Sequence, residues 1–418
     1  MLRDILIMQK RELAKRLGDR YVSRNVTATA GESDLVVVIL GPRRAGKSFF
    51  GMHLIHSKKS FGYVNFDDER LVGLPDYDEL LSAVDAVYDT PTDLLLDEIQ
   101  NVDRWELLVN RLQRQGRRLV VTGSNAHLLS SEFATHLTGR HIPLMLFPFS
   151  FNEYTSAAIK KQPATQPEYK ELLYSYLKDG GYPEPLIKNI DRKGYLSTLL
   201  ESIIYKDIVK RFKIRSVDGI EDLARYLLSN IGSEYSYRTL AEVTKCKSAH
   251  TVEKYLRYLE EAFLFFSLKR FSNKVKEQVK TNRKIYCIDN GFIEAGAFKM
   301  SEGTGRLAEN AVAVRLRKRE LDGECEVFFW KNVQQHEADF VVVQNRRVEQ
   351  IVQVCWNIEK PATKEREIRA LVTAGEELKC KKLLILTENK EGMEKVEWFG
   401  KKAVVEFVPL WKWMQGKP

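Results

Sequence analysis

Gly41, Pro42, Arg43, Arg44, Ala45, Gly46, Lys47 and Ser48 follow one another in the pattern G-x-x-x-x-G-K-[ST]. The chemistry that such a run serves is phosphate binding. Its two glycines let the backbone wrap closely around an anion, and consecutive N–H groups at a helix start point at it. Lys47 would reach the β- and γ-phosphates, and the Ser48 hydroxyl would complete the shell of a Mg²⁺ ion. Further along, Leu94, Leu95 and Leu96 run into Asp97 and Glu98. An acid at the end of a neighbouring strand would hold Mg²⁺, which assigns Asp97 to the metal together with Ser48. Glu98 is then placed to polarise the attacking water as general base. The pair of motifs predicts binding and hydrolysis of a nucleoside triphosphate, with ATP and Mg²⁺ as cofactors.

These groups need a strand before the loop and a helix after it. Residues 34–40 are apolar and β-branched, as a buried parallel strand should be, and residues 49–55 can continue as a helix. Residues 62–66, 118–122 and 141–147 are further strand candidates, and 105–115 and 128–138 read as helices. Alternating strands and helices predict an α/β core, a mostly parallel sheet with helices on both faces. Asp67, Asp68 and Glu69 read as an exposed strand end.

At 418 residues the chain exceeds one ordinary core. Apolar and charged fractions of 44% and 29% describe a soluble globular protein, and no apolar run approaches the roughly 20 residues of a membrane helix. The first sixteen residues read as a basic amphipathic helix without a signal peptide's apolar core. Five scattered cysteines with no C-x-x-C pair argue against disulfides or zinc and for a cytoplasmic setting without a membrane partner. A net charge of +9 fits a nucleic-acid partner without establishing one.

The first 155 residues resemble an AAA+ ATPase core, in particular a prokaryotic, largely archaeal family of P-loop ATPases. The resemblance is carried by the run from Gly41 to Ser48, by Leu96 to Gln100 and by Val121 to Asn125. Leu137 to Arg140 and Phe147 to Tyr154 complete it. It implies two further catalytic roles. Ser124 or Asn125 would be the sensor that orients water against the γ-phosphate. Arg140 would be an arginine finger inserted by a neighbouring subunit, since a guanidinium is planar and permanently charged. The alternative for Arg140 is a cation at a helix C-terminus. A finger in trans implies a homo-oligomer, expected as a hexameric ring.

Residues 156–218 read as the helical lid or a linker and include the breaker cluster Gly180, Gly181, Tyr182, Pro183 and Glu184. Residues 219–300 resemble a winged helix-turn-helix. Its helix after the turn would present Ser248, His250, Thr251, Lys254 and Arg257. A basic hairpin from Lys269 to Lys284 includes Lys274 and Lys276. DNA contact is assigned to Lys254, Arg257, Lys274 and Lys276; a subunit-docking module with a solvated basic loop is the competing reading.

Residues 301–418 resemble the restriction-endonuclease-like α/β fold with its PD-(D/E)-x-K centre. Glu309, Asp339 and Gln353 match the first three positions, whereas Cys355 stands where the lysine should be, with Lys360 and Lys364 as substitutes nearby. This implies a vestigial nuclease fold kept as a DNA-binding or assembly surface. Three functions follow from different classes. The leading one is an oligomeric ATPase acting on branched or single-stranded DNA, with helicase or branch-migration activity and partners in replication, recombination or repair. The others are an ATP-gated switch or protein remodeller and an ATP-regulated nuclease.

Overall fold

Five short strands make the first sheet, and all but the last are buried along most of their length. In chain order the elements are α1 (Leu2–Leu17), β1 (Val36–Leu40), α2 (Lys47–His56), β2 (Phe61–Asn65) and α3 (Tyr77–Tyr88). They continue with β3 (Asp93–Asp97), α4 (Trp105–Arg114), β4 (Arg118–Gly123) and β5 (His141–Met145). The strands lie in the order β2-β3-β4-β1-β5 and every pairing is parallel. This is the expected α/β core. Parallel strands are buried on both faces, which is why β1 and the Leu94–Leu96 centre of β3 read as unbroken apolar runs. Because all five run the same way, the ends of β1, β3 and β4 open onto one edge, where open α/β sheets bind ligands.

The computed structural model describes residues 1–26, 35–56, 58, 60–74, 76–124, 140–159, 164–246, 248–272, 274, 278, 281–297, 303–398 and 400–416. Residues 128–138, Asn125 and Lys276 lie outside these. The chain divides into one unit of residues 1–148 with 261–263 and a second of 149–260 with 264–418. No helix among the described residues is long and apolar enough to cross a membrane.

The amphipathic reading of α1 has a structural outlet. Leu2, Ile5, Leu6 and Leu13 are buried, and each such side chain contributes about 1.5–3 kcal/mol. Gln9, on the same face, accepts the Asn65 N–H at 3.0 Å and donates to the Asn65 carbonyl at 3.1 Å. It also donates to Asp68 Oδ2 at 3.3 Å. Asp68 is therefore more than an exposed strand end: it caps a short 3₁₀ turn and pairs with Arg70 at 2.7 Å.

The second unit opens with α5 (Phe151–Ala158), α6 (Gln166–Asp179), α7 (Pro183–Lys188) and α8 (Arg192–Ser202). The last runs directly into a π-helical segment, Ile203–Lys210. Then come α9 (Val217–Ser229), β6 (Glu234–Tyr235), α10 (Tyr237–Val243), α11 (Ala249–Glu261), β7 (Phe265–Leu268), β8 (Arg283–Cys287) and α12 (Asn290–Gly296). The three strands pair antiparallel in the order β6-β8-β7. Asp289 caps α12 by accepting the Gly291 N–H at 2.9 Å and also accepts the Gly181 N–H at 2.7 Å. This explains the paired glycines. A Cβ on Gly180 would lie 1.9 Å from Asp289 Oδ1, and one on Gly181 would lie 2.3 Å from the Phe149 carbonyl oxygen.

The remaining elements are α13 (Thr304–Leu321), β9 (Glu326–Lys331), β10 (Glu337–Gln344), β11 (Arg347–Val354) and α14 (Pro361–Glu377). They end with β12 (Leu383–Thr387), β13 (Gly392–Trp398), β14 (Lys401–Pro409) and α15 (Leu410–Gln415). Their mixed sheet has the order β13-β14-β12-β11-β10-β9, with β11-β12 and β12-β14 parallel. The register of β10 against β9 shifts between Ala338 and Val341, the place of Asp339. The basic hairpin is tied into this sheet. The Phe271 N–H donates to the Phe329 carbonyl at 2.7 Å and the Phe329 N–H to the Lys269 carbonyl at 3.0 Å.

Candidate functional site

The loop after β1 folds tightly enough to require glycine. Gly41 has φ +151°, and a Cβ there would lie 2.0 Å from the backbone oxygen of Leu146. Arg44 (φ 66°) and Gly46 (φ 95°) have positive φ on either side of Ala45, which does not, an alternation of the kind that turns successive N–H groups toward an anion. Arg24 braces the loop from outside, donating Nη1 to the Ala45 carbonyl at 3.1 Å and Nη2 to the Phe147 carbonyl. Pro42 accepts Lys47 Nζ at 3.0 Å, so the buried ammonium lies back across the loop that it would leave for a phosphate.

Asp97 ends β3, level with Thr122 on β4, whose Oγ1 donates to Asp97 Oδ1 at 2.5 Å. Tyr63 on β2 donates to Asp97 Oδ2 at 3.2 Å, and Ser48 hydrogen-bonds to the same carboxyl. Burial and then the neighbouring Glu98 charge raise the Asp97 pKa above the ordinary value. A divalent cation at the Ser48–Asp97 contact would relieve that penalty, so the residues present fit Mg²⁺. Glu98 behaves oppositely. Burial works to raise its pKa, but Lys47, Gln100, Arg43 and Ser124 outweigh it and hold the carboxyl below its ordinary value. Lys47 Nζ is 3.9 Å from Glu98 Oε1, and Gln100 Nε2 is 2.5 Å from Glu98 Oε2 and 3.3 Å from Ser124 Oγ. Glu98 itself has φ 53°, and its N–H donates to Thr122 Oγ1 at 2.9 Å.

The structure thus brings together the loop from Gly41 to Ser48 with Asp97, Glu98 and Ser124. Arg140 stands exposed just before β5, its carbonyl accepting the Val36 N–H at 3.1 Å. Sequence reasoning missed Arg24, Tyr63, Thr122 and Gln100. Gln100 and Thr122 carried a signal, since each lies inside a recognised motif, Leu96 to Gln100 and Val121 to Asn125.

In the second unit, Lys254 and Arg257 are exposed on α11 and Lys274 is exposed in the hairpin. Two other basic residues of that hairpin do not face solvent as a wing should. Arg270 donates to the Lys331 carbonyl, and Lys284 is 2% exposed. Glu309, Asp339 and Gln353 converge. Asp339 Oδ2 accepts the Val354 N–H at 2.9 Å, while Gln353 Oε1 accepts the Asp339 N–H at 3.1 Å. Gln353 Nε2 donates to Glu367 Oε2 at 2.7 Å. Cys355 is buried, and burial pushes its thiol up to about 12, so it stays neutral. Lys364, one of the expected substitutes, pairs with Glu394 at 2.8 Å.

Known proteins agree with the first unit's geometry. A family model described as an AAA domain matches residues 33–155. Two described as domains of unknown function, DUF8612 and DUF4143, match residues 170–300 and 304–413. The uncharacterized protein MJ1544 of Methanocaldococcus jannaschii is 34% identical over 426 residues, spanning 98% of this chain and 94% of its own. An uncharacterized protein of Haemophilus influenzae is 33% identical over 316 residues, spanning 69% of this chain and 76% of its own. Among solved structures, AMPPCP-bound DnaA from Aquifex aeolicus aligns over 61% of this chain and 87% of that one, at 15% identity and a TM-score of 0.29. A katanin structure concerned with self-assembly aligns over 53% and 71%, at 12% identity and a TM-score of 0.26. Structural likeness at that level carries no argument, whereas the sequence relatives do: the chain belongs to the family of AAA-domain P-loop ATPases that includes the M. jannaschii and H. influenzae proteins.

Proposed function

We propose that this chain is an ATP-hydrolysing motor that assembles as a homo-oligomer, a hexameric ring, and acts on branched or single-stranded DNA. The carrying observation is the ionised Glu98 held beside the Ser48–Asp97 pair, with Lys47 within reach of both the loop and the carboxylate. Mg-ATP, when bound, supplies the γ-phosphoryl group. Lys47 would leave Pro42 for phosphate oxygens, Ser48 and Asp97 would hold the metal, and Glu98 would take a proton from water that Ser124 or Asn125 orients. The water oxygen would bond to the γ-phosphorus as the bond from that phosphorus to the β–γ bridging oxygen breaks and ADP leaves. Arg140, exposed at the sheet edge, serves a neighbouring subunit's site.

The DNA half of the reading rests on Lys254 and Arg257, exposed on α11 within a helix and strand order that matches a winged helix-turn-helix. The division into an ATPase core (1–155), lid (156–218), winged-helix segment (219–300) and vestigial nuclease-like domain (301–418) belongs to the same proposal. So does a cytoplasmic setting, which the free thiols of all five cysteines support. One observation favours the second reading, an ATP-gated switch that docks proteins. Lys284 and Arg270 are used internally, which thins the phosphate-facing charge.

The test is the steady-state ATPase rate with single-stranded, duplex and four-way-junction DNA at two salt concentrations. Stimulation by one form that fades with salt supports the motor. A rate indifferent to all three moves the assignment to the protein-directed switch.

A further inference from the structure

The acidic centre of the second unit has a cation that the local motif does not supply. Lys284, on β8, sends its Nζ to Glu337 Oε1 at 2.6 Å, Glu309 Oε1 at 3.2 Å and Asp339 Oδ1 at 3.4 Å. Three carboxyl groups from α13 and β10 thus meet the ammonium of a lysine that is 2% exposed. Two other oxygens of the centre are held by backbone N–H groups, which leaves those facing Lys284 Nζ as the ones a cation would take. Asp339 Oδ2 accepts the Val354 N–H, and Gln353 Oε1 accepts the Asp339 N–H. Tyr286, two residues beyond Lys284 on the same face of β8, donates to Glu309 Oε1 at 2.8 Å. Among the described residues no three His, Cys, Asp or Glu side chains are arranged to hold a metal ion.

We propose that the Lys284 ammonium is the resident cation of this centre, standing where a divalent metal would otherwise be drawn, so that the β6-β8-β7 sheet closes the acidic centre of the C-terminal sheet. A lone buried ammonium would shed its proton, but here the surrounding acids reverse that. Burial works to lower the Lys284 pKa, and Glu309, Asp339 and Glu337 hold it well above the ordinary value. The register of β10 against β9 shifts across Asp339, the kind of irregularity that accompanies built sites. This inference is independent of DNA binding and of ATP hydrolysis.

The test is calorimetric titration of the nucleotide-free full chain with Mn²⁺ alone, using Asp339→Asn as the subtraction control for binding elsewhere. Wild type should show no Asp339-dependent binding, and Lys284→Met should gain about one equivalent that Lys284→Met/Asp339→Asn loses. An Asp339-dependent Mn²⁺ site in wild type overturns the proposal. A folded Lys284→Met protein that gains no site overturns it as well. If Lys284→Met does not fold, thermal melts decide. Lys284→Met/Glu309→Gln/Asp339→Asn, which neutralises the orphaned acids, should recover a cooperative transition. Its failure to do so, with Glu309→Gln/Asp339→Asn folding normally, would count against the charge role.

Discussion

Gln100 holds Glu98 by one carboxylate oxygen, its Nε2 2.5 Å from Oε2, while the same amide nitrogen lies 3.3 Å from Ser124 Oγ. The other amide atom, Oε1, is buried without a hydrogen-bond partner. Gln100 is therefore a positioning residue, linking the candidate base to the candidate sensor. Gln100→Leu should leave ATP binding near wild type and lower kcat by about tenfold, as loss of a supporting hydrogen bond typically does. Nucleotide titration beside steady-state turnover separates the two effects; an unchanged kcat removes Gln100 from the machinery.

Lys47 and Glu98 face each other across the site but should fail differently. Lys47→Ala should weaken nucleotide binding, whereas Glu98→Gln should bind ATP normally and lose about 10²–10⁴-fold in hydrolysis. Fluorescent-nucleotide binding and phosphate release, measured on both variants, check the split.

Arg140 is exposed and its backbone is anchored to β1, so replacing its side chain should spare the fold. Arg140→Ala should lower turnover by about 10³-fold or more. Mixing it with Lys47→Ala should restore part of the activity, because mixed rings pair an intact finger with an intact loop. A wild-type rate in Arg140→Ala alone ends the trans mechanism.

Asp289 should leave a signature in stability against pH. Burial raises its pKa from the ordinary 3.8 to about 7, and the Gly181 and Gly291 N–H groups only partly offset this. The folded chain therefore binds the proton more tightly than the unfolded one. The stabilisation is complete below about 3.8 and is lost as pH rises to about 7. At about 1.4 kcal/mol per tenfold change in proton affinity, the whole effect is on the order of 4 kcal/mol. Asp289→Asn should be less stable at low pH, since its NH₂ would face one of the two N–H donors, and should lose this decline. Thermal midpoints of both proteins between pH 4 and 8 test the difference.

The parallel α/β core was legible because buried parallel strands are apolar without alternation and the strand–loop–helix order around Gly41 has few other uses. The nearness of Ser48 to Asp97 followed from the same logic, since β1 and β3 open onto the same edge of the parallel sheet, although β4 lies between them. Lys284 was not legible. In sequence it closes a basic run, and a lysine bound for solvent looks identical to one bound for three acids. What decides is the packing of Lys284 on β8 against acids of α13 and β10, a long-range relation that no local period encodes. Tyr63 was hidden in the same way, as a polar residue in an apolar strand whose partner lay one strand away.

The Gly181 N–H and the Asp289 carboxylate are 108 residues apart in sequence. During synthesis at about 5–20 residues per second, the glycine pair emerges some 5–20 s before the acid that secures it. Until then α6 and α7 lack the anchor between them, and their apolar faces are open to chaperones. Release of a nascent chain cut short of Asp289 should therefore yield a protease-sensitive second unit even though its first helices are complete.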